Sequence, residues 1–250
     1  MFINFFKITI YEPLYNGLIA LINFIPFDAG VVVILFTLIV KFILFPLSRK
    51  AVKTQIEMKA IAPQLAELKE KYKDDQQQYA VKMLEMYKEH EINPFSTIFL
   101  TLVQIPIIIS LYYVFLKSGL PSIQTELLYS FVSAPDVVNM NFLGLIDISE
   151  KSHILALLAA VSSYFQMKYS VPIPQTKTKP GESFKDDLAR SMSIQMRYVF
   201  PIIVYFIAYT ISGVIAIYWL TSNFFTIAQE VHTRKNIKKE PSVEIIKKEK

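Results

Sequence analysis

The sequence predicts an all-α polytopic membrane protein. Of its 250 residues, 53% are hydrophobic and 14% aromatic, and the mean hydropathy is +0.37. Charged residues make up 19%, below the roughly 25% of ordinary soluble domains. The apolar residues are grouped in blocks of the length that crosses a bilayer, and this grouping decides the class. There is no Cys, which excludes disulfides and thiolate metal sites.

Five blocks are predicted to be transmembrane helices. Two of them come from one apolar run, 194–229, which as a single helix would be about 54 Å long, well beyond a ~30 Å hydrocarbon core. Ser212-Gly213, near the middle of this run, predicts a tight turn that divides it. Asp and Glu are absent from all five predicted spans, which argues against a pump with an acidic proton relay. The spans are 29–48, 98–116, 153–169, 194–211 and 214–229.

Polar or interrupted segments connect and flank the spans. Residues 49–97 have apolar positions at helical spacing on both sides of Asp74-Asp75, and they predict an amphipathic helical hairpin. Residues 1–28 carry an apolar stripe interrupted by polar residues, which favours an interfacial helix; a sixth span is the alternative. The remaining segments are a loop over 117–152, a loop over 170–193 and a basic tail over 230–250.

The distribution of Lys and Arg predicts the orientation in the membrane. Nine lie in 49–97, five in 170–197 and seven in 230–250, whereas 1–28 and 117–152 together contain three. Loops rich in Lys and Arg stay in the cytosol. We therefore expect an extracytoplasmic N-terminus, a cytosolic hairpin and a cytoplasmic C-terminus.

Lys41 lies inside the first predicted span, where a Lys costs about 2.5–3.5 kcal/mol on insertion scales. Its ammonium could reach the cytosolic headgroups by snorkelling. The alternative is a hydrated groove, because Gln104, Ser162 and Gln166 are polar residues at membrane depth in other spans. Each polar residue alone is also explained by a hydrogen bond between helices. Together with a lone cation they predict a positively charged, hydrated concavity.

Signatures of catalysis are missing, so we predict no enzyme activity, no metal and no cofactor. The three His residues are far apart in the sequence. His90-Glu91 begins like a zinc-binding motif, but Pro94 stands where the second His is required. The sequence also contains no phosphate-binding glycine loop and no nucleophile elbow.

Four motifs, in this order along the chain, resemble the YidC/Oxa/Alb family of membrane-protein insertases. The resemblance covers about 27–232, and the ordered set with a charged hairpin between the first two spans is more specific than any single motif. The motifs are FTLIVKFILFPLSRK (Phe36–Lys50), MYKEHEINPF (Met86–Phe95), LVQIPIIISLYYVF (Leu102–Phe115) and SGVIAIYWLTSN (Ser212–Asn223).

The resemblance implies five transmembrane helices around a hydrophilic groove that holds a basic residue of the first span. In this sequence that residue is Lys41, where bacterial members usually carry Arg; Lys keeps the charge but lacks the planar bidentate fork. Gln166 corresponds to a polar position of the groove. Residues matching the apolar face along which substrates slide are Ile105, Ile109, Tyr112, Tyr113, Tyr218 and Trp219.

The implied function is insertion of nascent membrane proteins into the lipid bilayer without ATP, at the bacterial inner membrane. The hairpin and the basic tail would meet the ribosome, signal-recognition components or the Sec translocon. A small-anion transporter or channel with Lys41 in its path is the alternative, and it predicts internal repeats that the sequence does not show. A structural scaffold is a third possibility, and it would tolerate any apolar residue at position 41.

Overall fold

The chain is described here from a computed structural model. It covers residues 6–93, 120–170 and 184–237, together with positions 95, 99, 102, 106, 109, 110 and 113. Most of the predicted span 98–116 therefore lies outside the described residues, as do most of the loop 170–193 and the end of the tail. The described chain is mainly helical, which confirms the all-α class.

The described helices are α1 (Glu12–Phe24, preceded by a π-helical turn at Lys7–Tyr11), α2 (Ala29–Ile43), α3 (Phe45–Ala60), α4 (Ala62–Lys71), α5 (Gln76–Glu89), α6 (His153–Ser170), α7 (Phe184–Ile211) and α8 (Gly213–Ile237). Between positions 120 and 152 the chain contains a 3₁₀ turn at Thr125–Leu127 and two short antiparallel strands, β1 (Asn141–Phe142) and β2 (Ile146–Asp147).

The chain forms two compact units, 1–42 with 106–227 and 43–105 with 228–250. The first unit contains α1, α2, the strands, α6, α7 and most of α8. The second contains α3 to α5 and the end of α8.

Helix α2 ends at Ile43, earlier than the predicted span 29–48. Pro46 has no N–H to donate to the carbonyl of Phe42, so the helical ladder is interrupted. Helix α3 then begins at Phe45 with Pro46 in its first turn, where a missing N–H costs little. The 15 residues of α2 give it a length of about 22 Å, shorter than a ~30 Å hydrocarbon core.

The apolar run 194–229 is interrupted at Ser212, between the end of α7 and the start of α8. The first N–H groups of α8 are satisfied by the segment after β2, because the Gly213 N–H donates to the Glu150 carbonyl (2.9 Å) and the Val214 N–H to the Ile148 carbonyl (3.2 Å). A Cβ on Gly213 would lie 3.0 Å from the Cα of Ile148. Glycine is therefore needed at 213 because two backbones approach closely.

The loop between positions 120 and 152 is fastened to the helices by hydrogen bonds. The Asn16 side chain donates to the Leu127 carbonyl (2.8 Å) and accepts from the Tyr129 N–H (2.7 Å). The Tyr15 hydroxyl accepts from the Gln124 N–H (2.8 Å). Burial raises the pKa of Tyr15, so this hydroxyl is neutral at physiological pH.

The start of α2 is fastened to the β1–β2 hairpin. The Ala29 N–H donates to the Asn139 carbonyl (2.8 Å), and the Asp28 carboxylate accepts from the Leu143 N–H (3.2 Å). A Cβ on Gly30 would collide with the ring of Phe142. Glycine at position 30 therefore allows the hairpin to pack directly on the helix.

The second unit contains a helical hairpin with a small apolar core. Ile61 and Ile92 are buried, and Met58, Leu65 and Tyr87 pack against them. Helix α5 begins at Asp75, whose carboxylate accepts hydrogen bonds from two backbone N–H groups of the first turn, a standard N-cap.

One described helical stretch, Ser191–Ile211, is long and apolar enough to cross a membrane. A second candidate results if α2 and α3, separated only by Leu44, are counted as one broken span. The number of five spans therefore stays a prediction.

Candidate functional site

Lys41 lies in the last turn of α2 and continues the buried face of that helix. Val33 and Thr37 precede it at intervals of four residues, both buried, and positions four apart lie on one face of a helix. The Thr37 hydroxyl donates to the Val33 carbonyl (2.7 Å). The Lys41 side chain is half-buried. The Lys41 side chain therefore extends from the buried face of α2.

The ammonium of Lys41 meets a neutral partner. Its Nζ atom lies 3.4 Å from the Thr226 hydroxyl of α8. That hydroxyl donates its own proton to the Ser222 carbonyl (2.8 Å), so its lone pairs face the ammonium. Within the described part of the chain, no carboxylate forms an ion pair with Lys41. The described partner of the Lys41 ammonium is therefore a hydroxyl and not a carboxylate.

Asn223 connects α8 to α6. Its amide nitrogen donates to the hydroxyls of Ser162 (2.9 Å) and Ser163 (2.8 Å), and both hydroxyls donate to the Ala159 carbonyl. All three side chains are less than 10% exposed. Ser162 is therefore part of a hydrogen-bonded helix contact.

Asn223 and Thr226 are three residues apart, so they share one face of α8. That face contacts α2 through Lys41 and α6 through the two serines. Neither Asn223 nor Thr226 was selected from the sequence. The signal in the sequence is a cluster of polar residues in the second half of the span 214–229, in which Asn223 and Thr226 stand three positions apart. The cluster is Thr221, Ser222, Asn223, Thr226 and Gln229.

Gln166 follows Ser162 by one turn of α6 and is half-buried. Its amide nitrogen donates to the Ser170 hydroxyl of the same helix (3.0 Å). Gln104, the other predicted polar residue of the groove, lies outside the described residues. The structure thus brings Ser162, but not Gln166, into a described contact with α8.

The predicted slide residues differ in exposure. Tyr218 is 6% exposed and Trp219 is partly buried. Ile109 and Tyr113 are 40% and 38% exposed. The other two, Ile105 and Tyr112, lie outside the described residues. Next to Lys41, the ring of Phe42 contacts that of Phe225 edge-on, with 5.0 Å between centroids.

Among the residues that the structure covers, no group of three or more His, Asp or Glu side chains could hold a metal ion. The polar side chains described at this site are a cation, hydroxyls and amides. Such groups bind and orient a ligand by charge and hydrogen bonding.

Comparison with known proteins agrees with the motifs. Residues 20–240 match the family model described as 60Kd inner membrane protein. Two relatives are named "Membrane protein insertase YidC": that of Clostridium tetani is 29% identical over 84% of this chain and 83% of the relative, and that of Fusobacterium nucleatum is 30% identical over 80% of this chain and 83% of the relative.

A longer relative with the same name occurs in Francisella philomiragia. It is 33% identical over 80% of this chain, but the match covers only 31% of that relative. This chain is therefore similar to one region of a considerably longer protein. With the family model matching most of the sequence, the chain belongs to the 60Kd inner membrane protein family, the YidC/Oxa family that its motifs resemble.

Proposed function

We propose that this chain is a membrane protein insertase, which receives nascent membrane proteins and releases their apolar segments into the bilayer without ATP. The name shared by the relatives supports this function, and none of those reported above is named a transporter. The observation that carries the proposal is the ammonium of Lys41, which faces the Thr226 hydroxyl and has no described carboxylate partner.

The physical problem is the polar tail of the incoming protein. Its backbone groups lose their hydrogen bonds to water in hydrocarbon, at several kcal/mol each. A hydrated groove that enters the membrane from one side shortens the apolar path. We assign Lys41, Gln104, Ser162 and Gln166 to this groove. Helix α2, at about 22 Å, would also thin the bilayer locally.

Lys41 supplies attraction for acidic residues of the tail. A charge in a partly desolvated site interacts more strongly than one in bulk water, because the effective dielectric constant is lower. The apolar segment of the substrate then leaves along an apolar face to which we assign Ile105, Ile109, Tyr112, Tyr113, Tyr218 and Trp219. Its transfer into lipid, at roughly 25 cal/mol per Å² of apolar surface, drives release.

The proposed arrangement in the membrane follows the positive-inside distribution. Five spans leave the N-terminal segment and the loop 117–152 outside, and the hairpin 49–97 and the tail in the cytosol of a bacterial inner-membrane protein. The hairpin and tail are then placed to meet the ribosome, signal-recognition components or the Sec translocon. Nascent membrane proteins and lipid are the partners that the family supports most directly.

The test is complementation of a strain depleted of its own insertase. Lys41→Arg should support growth, Lys41→Ala should reduce it, and Lys41→Glu should abolish insertion of a substrate with an acidic tail, because attraction becomes repulsion. All variants must accumulate to equal levels in the membrane. Normal insertion with Lys41→Glu would refute the role of the charge.

The groove itself is tested by accessibility. The sequence has no Cys, so single Cys residues at positions 104 and 166 can be labelled without background. A membrane-impermeant maleimide should reach both from the cytosolic side. Failure to label either one from that side would contradict the groove.

A further inference from the structure

Helices α6 and α7 form a second feature, separate from Lys41. Their surfaces meet along an apolar groove of about 470 Å³, within the roughly 300–1,000 Å³ of small-molecule sites. Helix α6 contributes Leu157, Ala160 and Val161, and α7 contributes Pro201, Ile202 and Phe206. We call this groove the α6–α7 seam. Leu157 and Ile202 are both 56% exposed, so the seam is open along its length.

One end of the seam carries a cluster of aromatic and basic side chains. The Nδ1 atom of His153 lies 2.8 Å from the Tyr205 hydroxyl, and its ring stacks on Tyr209 with 4.0 Å between centroids. The Nζ atom of Lys151 lies 6.0 Å from the centre of the Tyr209 ring. Tyr205 also lines the groove, so cluster and seam are continuous.

This combination fits a membrane boundary. Tyr is enriched where hydrocarbon meets the headgroups, and Lys at this depth acts as an interfacial anchor. An ammonium and an imidazole can both donate to a phosphate oxygen. The seam beyond them is apolar and lies on α7, which contains the stretch long and apolar enough to cross a membrane.

The dimensions agree with one leaflet. From His153 to Tyr164, the last α6 residue that lines the seam, is a rise of about 16 Å at ~1.5 Å per residue. Half of a ~30 Å hydrocarbon core is about 15 Å. A chain lying in the seam with its polar end at His153 would therefore reach about the middle of the bilayer.

We propose that the α6–α7 seam binds one phospholipid, with an acyl chain in the groove and the phosphate at Lys151 and His153. This site goes beyond the proposed insertase function. It depends on α6 and α7 crossing the membrane but not on Lys41 or on insertion. Loss of insertion in Lys41 variants would therefore leave it standing.

The experiment uses the full chain in nanodiscs of phosphatidylethanolamine and phosphatidylglycerol. A small fraction of the phosphatidylglycerol carries a photoreactive diazirine in the middle of one acyl chain. After illumination, mass spectrometry locates the lipid adducts. We expect adducts concentrated on the residues that line the seam, such as Leu157, Val161, Ile202 and Phe206. Adducts on Ile203, which is exposed on α7 but does not line the seam, should be fewer.

A second experiment fills the groove with a larger side chain and compares the resulting lipid adducts with those of a control variant. Leu157→Trp should lower the seam adducts by about fivefold, equivalent to roughly 1 kcal/mol. Leu158→Trp is the matched control, because Leu158 is 45% exposed on the same helix but lies outside the groove, and it should leave the adducts unchanged. Both substitutions are at exposed positions, and circular dichroism checks that both variants fold.

The headgroup end is tested by native mass spectrometry of the protein released from the same nanodiscs. Lys151→Gln should reduce the fraction that retains one phospholipid, whereas Lys168→Gln, at the other end of α6, should not. The proposal is overturned if adducts spread evenly over the exposed helix faces or if Leu157→Trp and Leu158→Trp behave alike.

Discussion

The Nζ atom of Lys41 lies 3.4 Å from the hydroxyl of Thr226, so a residue of α2 and a residue of α8 meet at the half-buried ammonium. This contact joins two segments far apart in the sequence. It also means that a substitution at Thr226 can neutralise the charge of Lys41 while Lys41 itself is retained.

We predict that Thr226→Glu impairs insertion of substrates with acidic tails. A carboxylate at this position would pair with Lys41 and cancel its attraction for the substrate. Thr226→Gln is nearly the same size and neutral, and it serves as the control. In a reconstituted insertion assay the Glu variant should be several-fold slower than the Gln variant. Equal rates for the two would show that the charge at this position has no influence.

Asn223→Ala should destabilise the contact between α6 and α8. It removes two hydrogen bonds to serine hydroxyls, and interhelical hydrogen bonds in membranes average about 0.6 kcal/mol each. A loss of about 1 kcal/mol in the free energy of unfolding is expected, measured by denaturant titration in detergent.

Single Ser162→Ala or Ser163→Ala variants should lose less, because the amide keeps its other acceptor. Thr210→Val is the control, since Thr210 is exposed and bonds only to carbonyls of its own helix. If Thr210→Val destabilised the protein as much as Asn223→Ala, the claim that the Asn223 hydrogen bonds stabilise the contact between α6 and α8 would be wrong.

Gly30→Ala should destabilise the protein although Ala favours helices. The new methyl group would collide with the Phe142 ring, and overpacking costs about 1–3 kcal/mol. Gly17→Ala is the matched control, because the nearest atom to its Cβ is 3.5 Å away. That variant should gain up to about 1 kcal/mol from helix propensity. Thermal unfolding in detergent distinguishes the two, and a rise in melting temperature for both would contradict the clash.

Asn16→Ala should loosen the loop that follows position 120. It leaves the Leu127 carbonyl and the Tyr129 N–H without their partner, at about 1–3 kcal/mol for a buried group. Hydrogen exchange of 124–133 should accelerate. Asn23→Ala, at an exposed bond to the Ser133 carbonyl, should have a smaller effect. No change in exchange for Asn16→Ala would show that other contacts hold the loop.

The all-α fold class could be predicted from the sequence, because blocks of apolar residues and helical spacing are local properties of the chain. The sequence also indicated a break near Ser212-Gly213, where the structure separates α7 from α8. The earlier end of α2, at Ile43, depends on Pro46, whose effect on the preceding carbonyl is local as well. The predicted span 29–48 includes Pro46, although its residue type alone predicts a break.

Side-chain orientation could not be read from the sequence. Tyr218, which we assign to the slide, is 6% exposed. Hydropathy does not predict this burial, because α8 is apolar on several faces and the sequence does not tell which one is covered. Asn223 was missed for the same reason, since its partners are on another helix. The β1–β2 hairpin consists of two-residue strands, too short for an alternating pattern to be seen.

The hydrogen bonds of Ala29 and Gly213 with the loop around the β1–β2 hairpin have a consequence for how the chain is made. Residues 139–150 form backbone hydrogen bonds with the start of α2 and also with the start of α8. The first of these partners is synthesised long before this segment, and the second long after it. Closing such distant contacts is slow because much chain entropy is lost first. The newly made protein therefore completes this junction only after α8 has been synthesised, and until then the carbonyls of Ile148 and Glu150 lack these two backbone partners.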